Sequence, residues 1–215
     1  MASTELGVRV ELTSPDAGAT PSDARGIART LALAFENDPL WSWAFPGAGR
    51  VESLERLWGH YVDNALRYPW TFTSGVYEAA CVWIPPGGTE LSKEGEAELE
   101  PLVSELSGGD PGPVLALCEA LEAAHPRVAP HFYLSLLGTH PQSRGRGLGM
   151  GIIRGVLERI DAEHMPAYLE SSLPDNDRRY ASGRLRAHRR SQRTGQPDGH
   201  HDVARGALSL RGWGA

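Results

Sequence analysis

The sequence predicts an α/β fold, with a sheet flanked by helices, in a single domain. Residues 132–137 form an almost continuous apolar run, which is typical of a central strand covered on both faces. A glycine-rich turn follows, and apolar residues then recur at helical spacing from Leu148 to Ile160. With 215 residues, 40% of them hydrophobic and 22% charged, the chain is large enough to bury a core.

The elements before this central segment are predicted from periodicity and turn residues. Residues 8–12 alternate apolar and polar side chains, which indicates an edge strand. Pro21 to Asp23 open a helix that runs to Phe35, and Asn37 to Pro39 end it. A second helix is predicted over 52–67, strands over 70–73 and 79–84, and two acidic helices over 89–124 with a break at 108–111. The acidic residues of these two helices are interpreted as a solvated face.

Three aromatic residues stand close together in the short segment 40–45. Trp41, Trp43 and Phe45 are suited either to plugging the hydrophobic core or to forming the wall of a substrate pocket. Both interpretations stay open at this point.

The charge of the chain is divided unevenly along its length. The formal net charge is −6, but residues 184–215 hold seven arginines against Asp198 and Asp202, a local balance of +5. The preceding 183 residues therefore carry −11. This excess of negative charge over residues 1–183 argues against nucleic acid as the main ligand.

Several absences in the sequence favour a cytoplasmic protein. No apolar stretch is long enough to span a bilayer, and the first twenty residues lack the apolar region of a signal peptide. Cys81 and Cys118 lie in apolar surroundings without metal-ligand spacing, so both are expected to be reduced, buried thiols.

The glycine-rich turn has the composition of an anion-binding site. It comprises residues 144–149 and opens the amphipathic helix. Backbone N–H groups at a helix N-terminus point together at the positive end of the helix dipole, and glycines let an anion approach them closely. Arg144 and Arg146 add positive charge. The sequence therefore predicts binding of a phosphate group at this turn.

Two common phosphate-binding motifs do not fit the turn. In the dinucleotide fingerprint G-x-G-x-x-G, the last glycine would fall on Met150 or Ile152. The P-loop requires a lysine, and the single lysine of the chain is Lys93. The pattern Q/R-x-x-G-x-G/A does fit, with Arg144, Gly147 and Gly149. In this pattern the segment resembles motif A of the GNAT superfamily of N-acetyltransferases, which binds the pyrophosphate of coenzyme A.

The following residues extend the resemblance. Residues 166–172 are a predicted strand, and Asn176 and Tyr180 follow it in the family's order. The likeness is loose over residues 8–182 and close over 131–182. The Leu-Glu-Ser-Ser sequence of the strand is similar to that of the puromycin N-acetyltransferase-like branch.

The resemblance implies a mixed, mostly antiparallel sheet flanked by helices, with acetyl-CoA as co-substrate and no metal. A backbone N–H near Leu137 or Gly138 would polarise the thioester carbonyl. Tyr180 would protonate the leaving thiolate, and Glu170 would deprotonate the amine. Asn176 would bind the coenzyme arm. The expected coenzyme-binding residues, besides Asn176, are Leu136, Leu137, Gly138, Thr139, Arg144, Gly145, Arg146, Gly147, Leu148 and Gly149.

The family pattern ends at Ser182. The family continues with Gly-Phe and two apolar strands, whereas residues 183–205 are polar and rich in arginine. The last two strands of the sheet are therefore predicted to be missing, which would leave the outer edge of the 167–171 strand open. Residues 1–182 are assigned to the acetyltransferase domain and residues 183–215 to an atypical tail.

Three interpretations of the tail compete: a solvated segment, a basic nucleic-acid arm, or a reading-frame error. The sequence favours the last. Back-translation of residues 183–205 with GC-rich codons and a one-base shift can give GGFEPIGEVNVPDSPTVTTMWR, which has Gly-Phe at the family's spacing after Tyr180.

The function implied by the resemblance is acetyl transfer from acetyl-CoA to a primary amine of a small molecule or peptide. A monomer or a homodimer is expected, without membrane association and without nucleic acid as the main ligand. Two alternatives remain: a non-catalytic acyl-CoA-binding module with an incomplete acceptor site, and an RNA-binding arm on this domain.

Overall fold

The computed structural model describes residues 18–126, 129–171, 186–188 and 206–209. The six helices in these ranges are α1 (Ala24–Phe35), α2 (Pro39–Ala44), α3 (Arg50–Ala65), α4 (Lys93–Leu106), α5 (Gly112–Ala124) and α6 (Leu148–Ala162). The six strands are β1 (Thr71–Ser74), β2 (Ala79–Ile84), β3 (Phe132–Thr139), β4 (Ala167–Ser171), β5 (Arg186–His188) and β6 (Gly206–Ser209). The edge strand predicted over 8–12 lies outside the described residues.

Local sequence explains where several helices begin. The Asp23 carboxylate accepts a hydrogen bond from the Thr20 backbone N–H at 2.8 Å and fixes the turn that leads into α1. Asp38 accepts the Leu40 N–H at 2.9 Å, so the residues predicted to end one helix also start the next. Ser92 caps α4 in the same manner.

The strands form one sheet in the order β1-β2-β3-β4-β6-β5. Every neighbouring pair is antiparallel except β3 and β4, which are parallel. Helices cover both faces of the sheet. The predicted mixed, mostly antiparallel sheet flanked by helices is confirmed.

Two hydrophobic layers enclose the sheet. The first joins α1, α2, α3, α4 and α5 to one face, and the second joins α6 to the opposite face. Trp41 and Phe45 belong to the first layer, where the Trp41 ring centroid lies 4.6 Å from that of Trp58. Trp43, in contrast, is 51% exposed. The core interpretation therefore holds for two of the three aromatic residues in this segment.

A β-bulge at Ser135 interrupts β3. The pairing with β2 steps from Val82–Leu136 to Trp83–Leu134, so Ser135 is the extra residue. Residues two apart in a regular strand face the same side, but an extra residue reverses the faces beyond it. Leu134 accordingly packs against the α6 layer and Leu136 against the α1 layer. The bulge positions different side chains at the functional end of the strand than regular alternation would.

The sheet continues beyond β4, contrary to the sequence prediction that its last two strands are missing. Strand β6 pairs antiparallel with β4 from Tyr168–Ser209 to Ser171–Gly206, and β5 pairs with β6. The predicted open outer edge of β4 is therefore wrong. The prediction considered residues 184–206, whereas the pairing segment, Gly206–Ser209, begins only at the last of them. A three- or four-residue strand is held by backbone hydrogen bonds and does not require a long apolar alternation.

Neither cysteine forms a disulfide. Cys81 is fully buried in β2, and burial raises the pKa of its thiol to about 12. Cys118 is half-buried in α5, and its Sγ lies 3.7 Å from the Tyr61 hydroxyl. No helix in the described part of the chain has the length and apolarity needed to cross a bilayer.

Candidate functional site

The central strands β3 and β4 separate at one end of the sheet. Their pairing extends from Phe132–Ala167 to Leu134–Leu169, and β3 then continues to Thr139. In this last part of β3, the backbone N–H and C=O groups that point away from β2 are not paired with β4. A split between parallel strands creates an elongated site where an extended ligand can bind to backbone groups.

The ladder between β2 and β3 determines which backbone groups face the split. The His140 N–H donates to the Glu78 carbonyl at 2.8 Å. His140 and Glu78 are therefore a hydrogen-bonded pair of this ladder. Because hydrogen-bonded and non-bonded pairs alternate in an antiparallel ladder, Gly138, two residues before His140, also directs its N–H and C=O groups toward β2. Leu137 and Thr139 direct theirs away from β2. Of the two residues expected to supply the polarising N–H, Leu137 therefore faces the split.

The C-terminal half of α1 lies over β3 at Gly138. A Cβ atom at Gly138 would lie 2.8 Å from the Ala34 Cβ and 3.1 Å from the Leu31 Cδ2. A glycine is therefore required at this position for close packing of helix on strand. Leu136, whose backbone groups were expected to bind the coenzyme, pairs with Val82 of β2, and its side chain packs in the α1 layer.

The glycine-rich turn brings the N-terminus of α6 to the end of β3. Gly147 caps the helix with φ 75°, and Gly145 has φ 80°, a left-handed conformation that favours glycine. No atom lies within 4 Å of a Cβ built on either glycine. Gly149, in contrast, lies so close to β3 that its Cβ would be 2.8 Å from the Thr139 Oγ1. The turn is therefore open on its outer side and closely packed on its inner side.

The first turn of α6 supplies N–H donors to this open side. The first α-helical bond is donated by the Gly151 N–H to the Gly147 carbonyl at 2.8 Å. The N–H groups from Leu148 to Met150 precede this bond and have no carbonyl partner within the helix. They lie at the positive end of the helix dipole. Leu148 itself anchors the turn, since its side chain is buried in the α6 layer.

The two arginines of the turn bind other parts of the protein. The Arg144 guanidinium donates to the Ala34 carbonyl at 3.0 Å, near the end of α1. Arg146 forms an ion pair with Glu78, whose pKa it holds below the usual value. Ser143 donates to the same carboxylate at 3.3 Å. Both arginines therefore brace the turn, and Glu78 offsets the charge of one of them.

Glu170 lies on β4 immediately beyond the last residue paired with β3. The Tyr168 hydroxyl donates to the Glu170 Oε1 at 3.0 Å, which fixes one carboxylate oxygen. The buried Tyr168 ring is packed edge-on against the rings of His125 and His131, with centroid distances of 5.3 Å and 5.6 Å. The Tyr133 ring lies 5.9 Å away on the adjoining strand. These rings orient the hydroxyl that positions Glu170.

Asn176 and Tyr180 lie outside the described residues, so their predicted roles stay predictions. The sequence analysis did not identify Glu78, Ser135 or Glu90. Ser135 donates a hydrogen bond to Glu90, which lies half-buried in the loop before α4, not on the solvated helix face predicted for segment 89–124. No local pattern could have revealed these partners, because each is distant in sequence from the residue it contacts. Among the described residues, no group of three or more His, Cys, Asp or Glu side chains could hold a metal ion.

No protein-family model matches the chain. Solved structures of acetyltransferases do share its fold. A histone acetyltransferase HPA2 and related acetyltransferase from Corynebacterium glutamicum has a TM-score of 0.63 at 19% identity, covering 89% of this chain and 92% of that one. An agmatine N-acetyltransferase has a TM-score of 0.57 at 17% identity, with 94% and 97% covered.

A third similar structure is the Drosophila melanogaster polyamine N-acetyltransferase, with a TM-score of 0.55 at 17% identity and coverage of 89% and 95%. At these identities the likeness concerns the fold and not the substrate. It extends over 89% to 94% of this chain and 92% to 97% of the other chains. The chain has the fold of the GNAT acetyltransferases.

Proposed function

We propose that the protein transfers an acetyl group from acetyl-CoA to a primary amine of a small molecule or peptide. The observation that carries this proposal is the meeting of two features at one end of the sheet. The split exposes backbone groups of Leu137 and Thr139, and the open turn around Gly147 presents the helix N–H groups beside it. An extended ligand that ends in a pyrophosphate matches both features.

Acetyl-CoA fits these residues as a substrate. The first turn of α6 would bind the pyrophosphate, because its N–H groups and dipole favour an anion and the glycines leave space for it. The backbone groups of Leu137 and Thr139 would bind the amides of the pantetheine arm. Arg144 would contribute long-range positive charge, while its hydrogen bond to the Ala34 carbonyl holds the turn in place.

Acetyl transfer at the split would require a proton acceptor for the amine and a proton donor for the thiolate. Glu170 would take the proton of the acceptor ammonium, and Tyr168 would keep its carboxylate oriented. The Leu137 N–H would donate to the thioester oxygen as negative charge develops on it. Tyr180 would return a proton to the departing thiolate. The amine nitrogen thus forms the new amide bond as the carbon–sulfur bond breaks, and free thiol is released.

Two further observations support this proposal. The agmatine and polyamine N-acetyltransferases that share the fold act on small amines. The Leu-Glu-Ser-Ser sequence at 169–172 favours a place near the puromycin N-acetyltransferase-like branch. The expected compartment is the cytoplasm, and the expected assembly is a monomer or a homodimer.

Release of free thiol from acetyl-CoA tests the proposal. The purified chain would be incubated with acetyl-CoA and a panel of primary amines, and the thiol would be titrated while mass spectrometry follows the amine. We expect amine-dependent thiol release with the gain of one acetyl group on the amine. Coenzyme binding without thiol release for any amine would favour the alternative of a non-catalytic acyl-CoA-binding module.

A further inference from the structure

A half-buried carboxylate adjoins the bulge of β3. The Ser135 hydroxyl donates to the Glu90 Oε1, so the bulge residue points its side chain toward the loop before α4. Burial raises the pKa of the Glu90 carboxyl. Within the described ranges, Ser135 is the hydrogen-bond partner of the Glu90 carboxylate, and the Arg67 guanidinium donates to the Glu90 backbone carbonyl at 3.2 Å. No ion pair in these ranges joins the carboxylate to a cationic side chain. A carboxylate withdrawn from water in this way is stabilised when a cation binds beside it.

The charge of this carboxylate acts on the hydroxyls of two tyrosines. Burial and the Glu90 charge raise the pKa of the Tyr133 hydroxyl well above its usual range. The Tyr61 hydroxyl is affected in the same direction, by burial first and then by Cys118 and Glu90. Both phenols therefore stay neutral at ordinary pH. Aromatic rings and a carboxylate together favour an organic cation.

The carboxylate lies at a useful distance from the expected reaction centre. Ser135 precedes Leu137 by two residues, a rise of roughly 6 to 7 Å along a strand. Leu137 is the residue whose N–H faces the split. On the neighbouring strand, Leu169 is the partner of Leu134. Glu170, the proposed base, is the next residue after Leu169 and is therefore level with Ser135 across the split. A cation at Glu90 is thus about one short aliphatic chain away from an amine at Glu170.

We propose that Glu90 is a specificity-determining residue that binds the second positive charge of a dicationic acceptor, such as a short diamine. This inference rests on the proposed acetyl transfer and deepens it by naming the class of acceptor. The amine that reacts lies at Glu170, and the distal ammonium contacts Glu90 between the rings of Tyr61 and Tyr133. A monoamine of the same length gains nothing from Glu90.

A binding experiment tests this role without any turnover. Putrescine and n-butylamine share a four-carbon chain and differ in one ammonium group. At equal ionic strength near pH 8, putrescine should raise the unfolding midpoint of the wild-type protein by more than n-butylamine does. Glu90→Gln keeps an oxygen that accepts from Ser135 but removes the charge, so it should abolish this excess effect of putrescine. Glu119→Gln, an exposed change on α5, removes the same charge elsewhere and should preserve the excess.

Acceptor selectivity provides a second measurement. In thiol-release assays, Glu90→Gln should reduce the ratio of kcat/KM for putrescine to that for n-butylamine by roughly 10- to 100-fold, the range for a lost hydrogen bond to a charged group. The kcat/KM for n-butylamine itself should stay unchanged. Equal losses for both amines, or an unchanged ratio together with retained stabilisation by putrescine, would overturn the role of Glu90. Thiol release that is absent with every amine would instead refute the proposed function, and the binding experiment would still decide the role of Glu90.

Discussion

Replacement of Gly147 by aspartate or by asparagine separates charge from shape at the proposed pyrophosphate site. Gly147 has φ 75° and no atom within 4 Å of the position where a Cβ would lie. Asn and Asp are the two non-glycine residues that adopt this left-handed conformation most readily. Both cost roughly 1 to 2 kcal/mol of strain at such a position. The two variants should therefore be similarly folded and differ in one negative charge.

The difference in affinity follows from Coulomb's law. A carboxylate roughly 5 Å from a phosphate oxygen is repelled by about 1 kcal/mol in bulk water and by about 3 kcal/mol at an effective dielectric constant of about 20. Gly147→Asp should therefore bind acetyl-CoA roughly 5- to 150-fold more weakly than Gly147→Asn. Isothermal titration calorimetry measures both constants, and circular dichroism checks that the two variants are equally folded.

The salt dependence of the difference in acetyl-CoA affinity between Gly147→Asp and Gly147→Asn provides a control. Screening should shrink the gap between the two variants as ionic strength rises, because the turn is exposed. Equal affinities for Gly147→Asp and Gly147→Asn at low salt would refute the placement of the pyrophosphate at this turn. An affinity for both variants equal to that of the wild type would refute it as well.

Three further predictions concern catalysis, pH and the end of the sheet. Tyr180→Phe should lower kcat by roughly 10²- to 10⁴-fold with little change in acetyl-CoA affinity, and full turnover would assign the proton transfer elsewhere. Because burial raises the pKa of Glu90, its ionisation weakens the fold as pH rises through that pKa. Glu90→Gln should therefore raise the unfolding midpoint near pH 8, with the gain vanishing near pH 4, and a gain independent of pH would contradict the cause. A chain ending at Arg205 lacks β6, so its unfolding midpoint should fall, whereas an unchanged midpoint would mean that the pairing with β4 contributes no stability.

The local parts of the site could be predicted from the sequence. The turn at 144–149 and the helix after it are encoded within a few residues, by glycines at left-handed positions and by apolar residues at helical spacing. The bulge at Ser135 could not be predicted in this way. Residues 132–137 are almost continuously apolar, so no alternation reveals where the two faces exchange.

The partners of charged residues were the hardest feature to predict. Arg144 and Arg146 were expected to contribute charge to an anion site, but the sequence does not show that Ala34 and Glu78 bind their guanidinium groups. Glu90 was not singled out from the acidic segment 89–124, because composition alone does not distinguish a buried carboxylate from an exposed one. Such contacts depend on tertiary packing between segments far apart in the chain.

The end of the chain shows the limit of pattern-based inference most clearly. The expected open edge of β4 assumed that a pairing strand must carry apolar alternation within residues 184–206, yet β6 begins at Gly206. The reading-frame hypothesis for residues 183–205 does not depend on that assumption. Resequencing the codons around Ser182 to Arg184 tests it. Correction of a missing or added base there would restore the family's Gly-Phe.

Amide hydrogen exchange, measured by mass spectrometry with and without acetyl-CoA, tests the central claim most directly. The proposed site places the coenzyme along the free side of β3 and against the first turn of α6. Saturating acetyl-CoA should therefore slow exchange in peptides that cover residues 135–151 and leave the hairpin of β1 and β2 unchanged. Unaltered exchange over 135–151 at saturation, or protection confined to other segments, would contradict the proposed coenzyme site.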